Sequence, residues 1–263
     1  MQRLEQQLDG LKLREVWEQL PLNLRAIPKL ILDSTGIELE VLHKAECRDP
    51  VFNIDRATAG FEIDGDQQKV VLWCDPLTAT ASVIGHELLH LRRDICESQI
   101  KLMPTRFCDP AMSNIAYQLE NEMEHIFIIP EEIKLFSDAE DRWAKDYADV
   151  INRIMSREEP DKTEMVMAWM QIRNSLPNHT DLAKKLGPHI YAQGEMWAQE
   201  SQSFNDVAKE AKDQNSKKSL LSWMMEAIHT WHPDHKDTVG YGRWKITGAG
   251  LSFEPMGIGL LTD

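Results

Sequence analysis

Residues 86–90 read His86-Glu87-Leu88-Leu89-His90, and no other string constrains the chain as strongly. Imidazoles at i and i+4 meet on one face only if the segment is an α-helix, where residues four apart are neighbours. There they can offer two nitrogens to one Zn²⁺ at ~2.0–2.1 Å. Glu87 lies too close to the first imidazole to bind the same ion, but it is placed to take a proton from the activated water. Ile84, Leu88, Leu91 and Ile95 give this helix an apolar back, and Thr78 or Thr80 can cap its start. With 9 His in 263 residues, chance would produce the string in roughly 0.03 of such chains.

The elements around this helix define the class. Leu4, Leu8, Leu11, Leu13, Val16, Trp17 and Leu20 predict one helix ending at Pro21, followed by a second over 22–33. Residues 37–42 alternate as a half-buried strand, and 61–63 with 69–73 read as a hairpin around Asp64-Gly65-Asp66. The HExxH helix runs to about Glu97, a loop holds Pro104 and Pro110, and a helix over 111–129 stops at Pro130. Helices then cover 137–157, 161–175, 179–186, 191–213 and 217–231, and 244–246 with 251–253 form a last hairpin. Strands early and helices late make an α+β chain. Its boundary lies near 133–137, with 1–133 as core and 134–263 as a helical region ending in a Gly/His-rich tail packed on that core.

A catalytic zinc site usually takes three protein ligands and keeps one position open. No third His follows at the HExxHxxGxxH spacing. Instead the next helix carries Glu120, Glu122, Glu124 and His125 within six residues, a costly set to bury without a cation. Ile115, Ala116, Leu119, Met123, Ile126 and Phe127 form its expected buried stripe. Glu120 flanks that stripe most closely and is the first candidate for third ligand, with Glu124 orienting a ligand His; the reverse assignment, Glu124 on the metal, stays open. His125 reads either as a donor to the transition state or as a partly buried histidine. Asp94 reads as part of a solvated cluster with Arg92 and Arg93.

With a glutamate-bearing helix following His86-Glu87-x-x-His90, residues 37–130 resemble a zincin-like zinc metallopeptidase of the gluzincin type. The resemblance implies a small twisted β-sheet, an active-site helix with the two His, and a helix supplying the glutamate. It also implies one Zn²⁺ per chain and hydrolysis of peptide bonds in a protein or peptide substrate, with Glu87 as general base. Bacterial ImmA/IrrE-type peptidases are similar in length class and cytosolic setting, and Phe127-Ile128-Ile129-Pro130 is similar to the end of their glutamate helix. Two positions depart from these patterns: Tyr117 stands where the ImmA/IrrE-type ligand glutamate belongs, and Glu124 replaces the Asp of the gluzincin Glu-x-x-x-Asp. The alternative to catalysis is a zinc-stabilised protein-interaction or sensor module.

Composition restricts partners. Against 29 Lys+Arg stand 43 Asp+Glu, a net charge of −14, which disfavours nucleic acid and anionic membrane as partners. No apolar run approaches the ~20 residues of a membrane span, and the first 20 residues lack a signal-peptide core. Cys47, Cys74, Cys96 and Cys108 form no CxxC pair, which predicts reduced thiols in a cytoplasmic protein. Trp143, Trp169, Trp197, Trp223 and Trp231, with Met165, Met167, Met170, Met196, Met224 and Met225, read as core. By residue type alone, Tyr241, His229, His232 and His235 join His125 as oxyanion donors, and Val70–Trp73, as a sheet edge, could pair with an extended substrate.

Overall fold

The strand alternation and the helical spacing coexist in a mixed α+β chain, mostly helical, with two three-stranded sheets among the described residues. The computed structural model describes residues 2–47, 57–64, 67–159, 161–231, 234, 237–247 and 250–257. The chain divides into two compact units, residues 1–100 with 242–256 and residues 101–241 with 257–263.

In the first unit, β1 (Leu39–His43), β2 (Ala57–Asp64) and β3 (Gln67–Cys74) form a sheet of order β1-β3-β2. β3 runs parallel to β1 and antiparallel to β2, so Leu72 pairs with both Val41 and Ala59. Val70, Val71, Leu72, Trp73 and Cys74 are all buried, the unbroken apolar run of a strand covered on both faces. This central place corrects the expectation that Val70–Trp73 is a sheet edge, because neighbours take its hydrogen bonds on both sides. Beside β1 lies α1 (Gln2–Gly10), where Gln7 Oε1 accepts the Val41 amide at 3.0 Å and Arg3 pairs with Glu40 at 2.9 Å.

The single N-terminal helix expected through Leu20 is broken. α1 ends in a Schellman turn: Leu13 N donates to Leu8 O at 2.8 Å, Lys12 N donates to Asp9 O at 3.1 Å, and Lys12 takes φ 58°. Gly10 weakens the helix at that point. The turn still buries Leu8 and Leu13, and α2 (Arg14–Glu18), α3 (Leu22–Arg25) and α4 (Ile27–Thr35) follow.

The helix predicted from Thr78 or Thr80 to about Glu97 is present as α5 (Ala81–Leu91), extended by a π-helical turn over Arg92–Cys96. The last hairpin comprises β5 (Val239–Thr247) and β6 (Gly250–Gly257). Gln68 clamps it, since its amide donates to Leu251 O at 2.7 Å and accepts from Leu251 N at 2.8 Å. Gly250 is required there: at φ +113° a Cβ would lie 2.3 Å from Gln68 Oε1.

The second unit opens with β4 (Lys101–Pro104), a strand inside the expected loop. It continues with α6 (Pro110–Leu135), α7 (Ala139–Met155), α8 (Lys162–Ser175), α9 (Thr180–Ala192), α10 (Glu195–Gln214) and α11 (Lys218–Trp231). α6 does not stop at Pro130 but runs unbroken to Leu135. An interior proline costs about 3 kcal/mol. Burial of Ile126, Ile128 and Ile129 offsets that cost, as does Glu132, which is fully buried and accepts from Arg142 and, at 2.8 Å, from Trp143 Nε1. Ile129, Tyr147, Ile151, Met165, Trp169 and Leu186 lie in one core cluster. The core reading holds for Trp169 and for Met165, Met167, Met170, Met224 and Met225; Met196 is an exception, 60% exposed. No helix among the described residues is long and apolar enough to cross a membrane.

Glu132→Ala leaves the Arg142 guanidinium without its buried carboxylate. It should cost about 3–5 kcal/mol in urea unfolding of the purified protein, and a loss under 1 kcal/mol would refute this account of the helix surviving Pro130.

Candidate metal centre

α5 is placed by its cap and by what precedes it. Thr80 Oγ1 accepts the Val83 amide at 3.3 Å, which selects Thr80 over Thr78 as the cap. Just before it, Asp75 accepts from Leu77 N at 3.0 Å and pairs with Lys44 at 2.9 Å. The Lys44 ammonium, together with the Leu77 amide, holds the Asp75 carboxyl below its usual pKa. Ile84, Leu88, Leu91 and Ile95 are buried as the spacing predicts, and α5 packs on β2, α2 and α3.

On α5 the two motif imidazoles converge. His86 Nε2 and His90 Nε2 lie 3.1 Å apart, with ring centroids at 4.8 Å and planes at 80°. Tetrahedral zinc ligands at ~2.0–2.1 Å lie roughly 3.3 Å from one another, so the pair already has the spacing of two ligands of one ion. His86 is buried, while Glu87 and His90 are partly exposed. Beyond the motif, Arg92 pairs with Glu97 at 2.9 Å and Arg93 is buried.

The glutamate helix α6 belongs to the second unit, and its buried side differs from the expected stripe. Ile115 is 44% exposed, whereas Glu120 and Glu124 are themselves buried beside Ala116 and Met123. Both carboxylates accept from the buried Lys217 ammonium, and Glu120 Oε2 also accepts the Leu102 amide of β4 at 2.7 Å. Burial raises the Glu120 carboxyl to about 7, against the lowering pull of Lys217 and Lys101 and with a further raising push from Glu124.

His125, also buried, sits edge-on to Trp143 with centroids 5.0 Å apart, and its Nδ1 lies 3.9 Å from Glu122 Oε1. The Tyr147 hydroxyl donates to Glu122 Oε2 at 3.3 Å; burial first, then the Glu122 charge, push that phenol well above its ordinary range. Sequence reading did not find Lys217. One sign of it was present, since an ammonium beginning a helix opposes the macrodipole and so calls for an anionic partner.

As donors, His86, His90 and His125 could bind a metal ion; the set does not name which. His232 and His235 lie outside the described residues. No family model matches the chain, and no curated protein and no solved structure matches it either.

Because the folded chain holds the Glu120 proton up to about pH 7 while the unfolded chain releases it near 4.5, folding stability of metal-free protein should fall as pH rises through that window. Glu120→Gln should flatten the fall in chemical denaturation series at several pH values; an unchanged slope would refute the assignment. Burial also pushes the Cys74 thiol up to about 12, so Cys74 should resist alkylation at pH 8 in native protein and react once the chain is unfolded.

Proposed function

We propose that the chain is a zinc-dependent metallopeptidase in which His86, His90 and His125 hold one Zn²⁺ and Glu87 is the general base. The observation that carries this reading is the 3.1 Å approach of the two Nε2 atoms on α5, with Glu87 beside them. Imidazole donors suit zinc, and a site with three protein ligands keeps a position for chemistry. Bound there, the zinc would act as a Lewis acid on a substrate carbonyl, stabilising the charge that develops on its oxygen.

The chain's own residues do the rest. Glu87 takes a proton from the attacking water as the new C–O bond forms, then delivers it to the amine as the C–N bond breaks. The rigid, buried back of α5 holds Glu87 and the imidazoles in register during that transfer. The substrate class is a protein or peptide, and the cytoplasmic setting expected from the cysteine usage belongs to the same proposal.

Glu87→Gln keeps the shape of the site and removes the base. Cleavage of a quenched fluorescent peptide library should fall by about 10²–10⁴-fold, with zinc content and melting temperature unchanged. His90→Ala should lose the zinc. Cleavage at the wild-type rate by Glu87→Gln, or purified protein that neither contains zinc nor gains stability from it, would refute the proposal.

A further inference from the structure

The carboxylates of α6 do not share one task. Glu120 and Glu124 bond the buried Lys217, and Glu132 bonds Arg142 and Trp143. Glu122 faces His125 instead, with its Oε1 3.9 Å from the ring Nδ1. Residues three apart share a helix face, so α6 alone sets that approach. The other oxygen, Oε2, accepts the Tyr147 hydroxyl of α7 at 3.3 Å, and the Glu122 carbonyl accepts from the Gln171 side-chain amide of α8. Every one of these contacts lies within residues 101–241.

The ring of His125 is held as well. Trp143 meets it edge-on with centroids 5.0 Å apart, and the Trp143 indole N–H is tied to Glu132 at 2.8 Å. With Glu122 on the Nδ1 side, the two neutral tautomers are unequal. A proton on Nδ1 is attracted to the carboxylate, whereas a proton on Nε2 leaves the Nδ1 lone pair against it. The 3.9 Å separation is longer than a hydrogen bond, and rotation about the broad terminal torsion of a glutamate can close it.

Resting on the zinc reading above, we infer that Glu122 is a positioning residue for His125. It accepts the hydrogen bond of Nδ1–H and so leaves Nε2 as the nitrogen offered to the metal. Tyr147 is the clamp that holds the Glu122 carboxylate in place. A carboxylate accepting from a ligand imidazole also makes that imidazole a stronger donor.

Long-range ¹H–¹⁵N correlation of the full chain labelled with ¹⁵N-histidine reads which ring nitrogen carries the proton. The His125 signals are assigned by their loss in His125→Gln. At about pH 8.5, above the ordinary histidine range, metal-free wild type should carry the proton on Nδ1. Zinc-loaded wild type should keep it there, with Nε2 ligated. Glu122→Ala should shift the metal-free ring towards Nε2–H and weaken zinc binding, read by chelator competition, about 10–100-fold. Glu122→Gln, whose amide oxygen still accepts, should keep Nδ1–H, and Tyr147→Phe should weaken zinc by less than Glu122→Ala. Should Glu122→Ala not fold, Glu122→Met keeps the length of the stem without the acceptor and should show the same two changes. General destabilisation would leave the tautomer where it is. Nε2–H in wild type, or an unchanged tautomer or unchanged zinc affinity in the folded Ala or Met variant, would overturn the inference while leaving the metal reading intact. Wild type that takes up no zinc would overturn the metal reading itself, and with it the ligand role of Nε2.

Discussion

Burial of α5 along nearly its whole length is the constraint on which the rest depends. A helix packed on β2, α2 and α3 cannot rotate, so its one polar edge has a fixed direction. His86, Glu87 and His90 lie on that edge, and the 3.1 Å approach of two nitrogens follows from one helical turn held still. The cap at Thr80 and the Lys44–Asp75 pair set where the turn begins. Strand β3 supplies the buried sheet centre behind it, with every residue from Val70 to Cys74 out of solvent.

Buried charge organises the second unit. Glu132 bonds Arg142 and Trp143, Glu120 and Glu124 bond Lys217, and Glu122 accepts from Tyr147. These four carboxylates on α6 thus face donors from outside the helix, which fixes it about its axis as well as along it. Single removals are expected to be costly because each would strand a partner. Trp143 joins the same network, edge-on to His125 and 6.0 Å from the Tyr147 ring.

What could be read in the sequence was what short-range physics decides. The HExxH spacing, a threonine cap at 78 or 80 and the apolar back of α5 depend on neighbours within one or two turns, and each appears where expected. The hairpin β2–β3 and the terminal hairpin were legible from alternation for the same reason. What depended on distant partners was not. Whether Val70–Trp73 is edge or centre depends on β1, from an earlier stretch of chain. Pro130 reads as a stop until the burial of Ile128 and Ile129 and the bonds of Glu132 are known. Glu120 and Glu124 read as ligand candidates because Lys217, 97 and 93 residues away, cannot be paired with them by spacing. Lys12 in a left-handed turn was missed because glycine usually marks such a position.

The central proposal is that the His86, His90 and His125 group holds one zinc ion. Zinc K-edge X-ray absorption on the full chain, reconstituted with a single equivalent of zinc, tests it most directly. The account predicts a first shell of light atoms at ~2.0–2.1 Å, with the outer-shell scattering of imidazole rings fitted best by three of them. A shell containing sulfur at ~2.3 Å, or an oxygen-only shell without imidazole scattering, would contradict it.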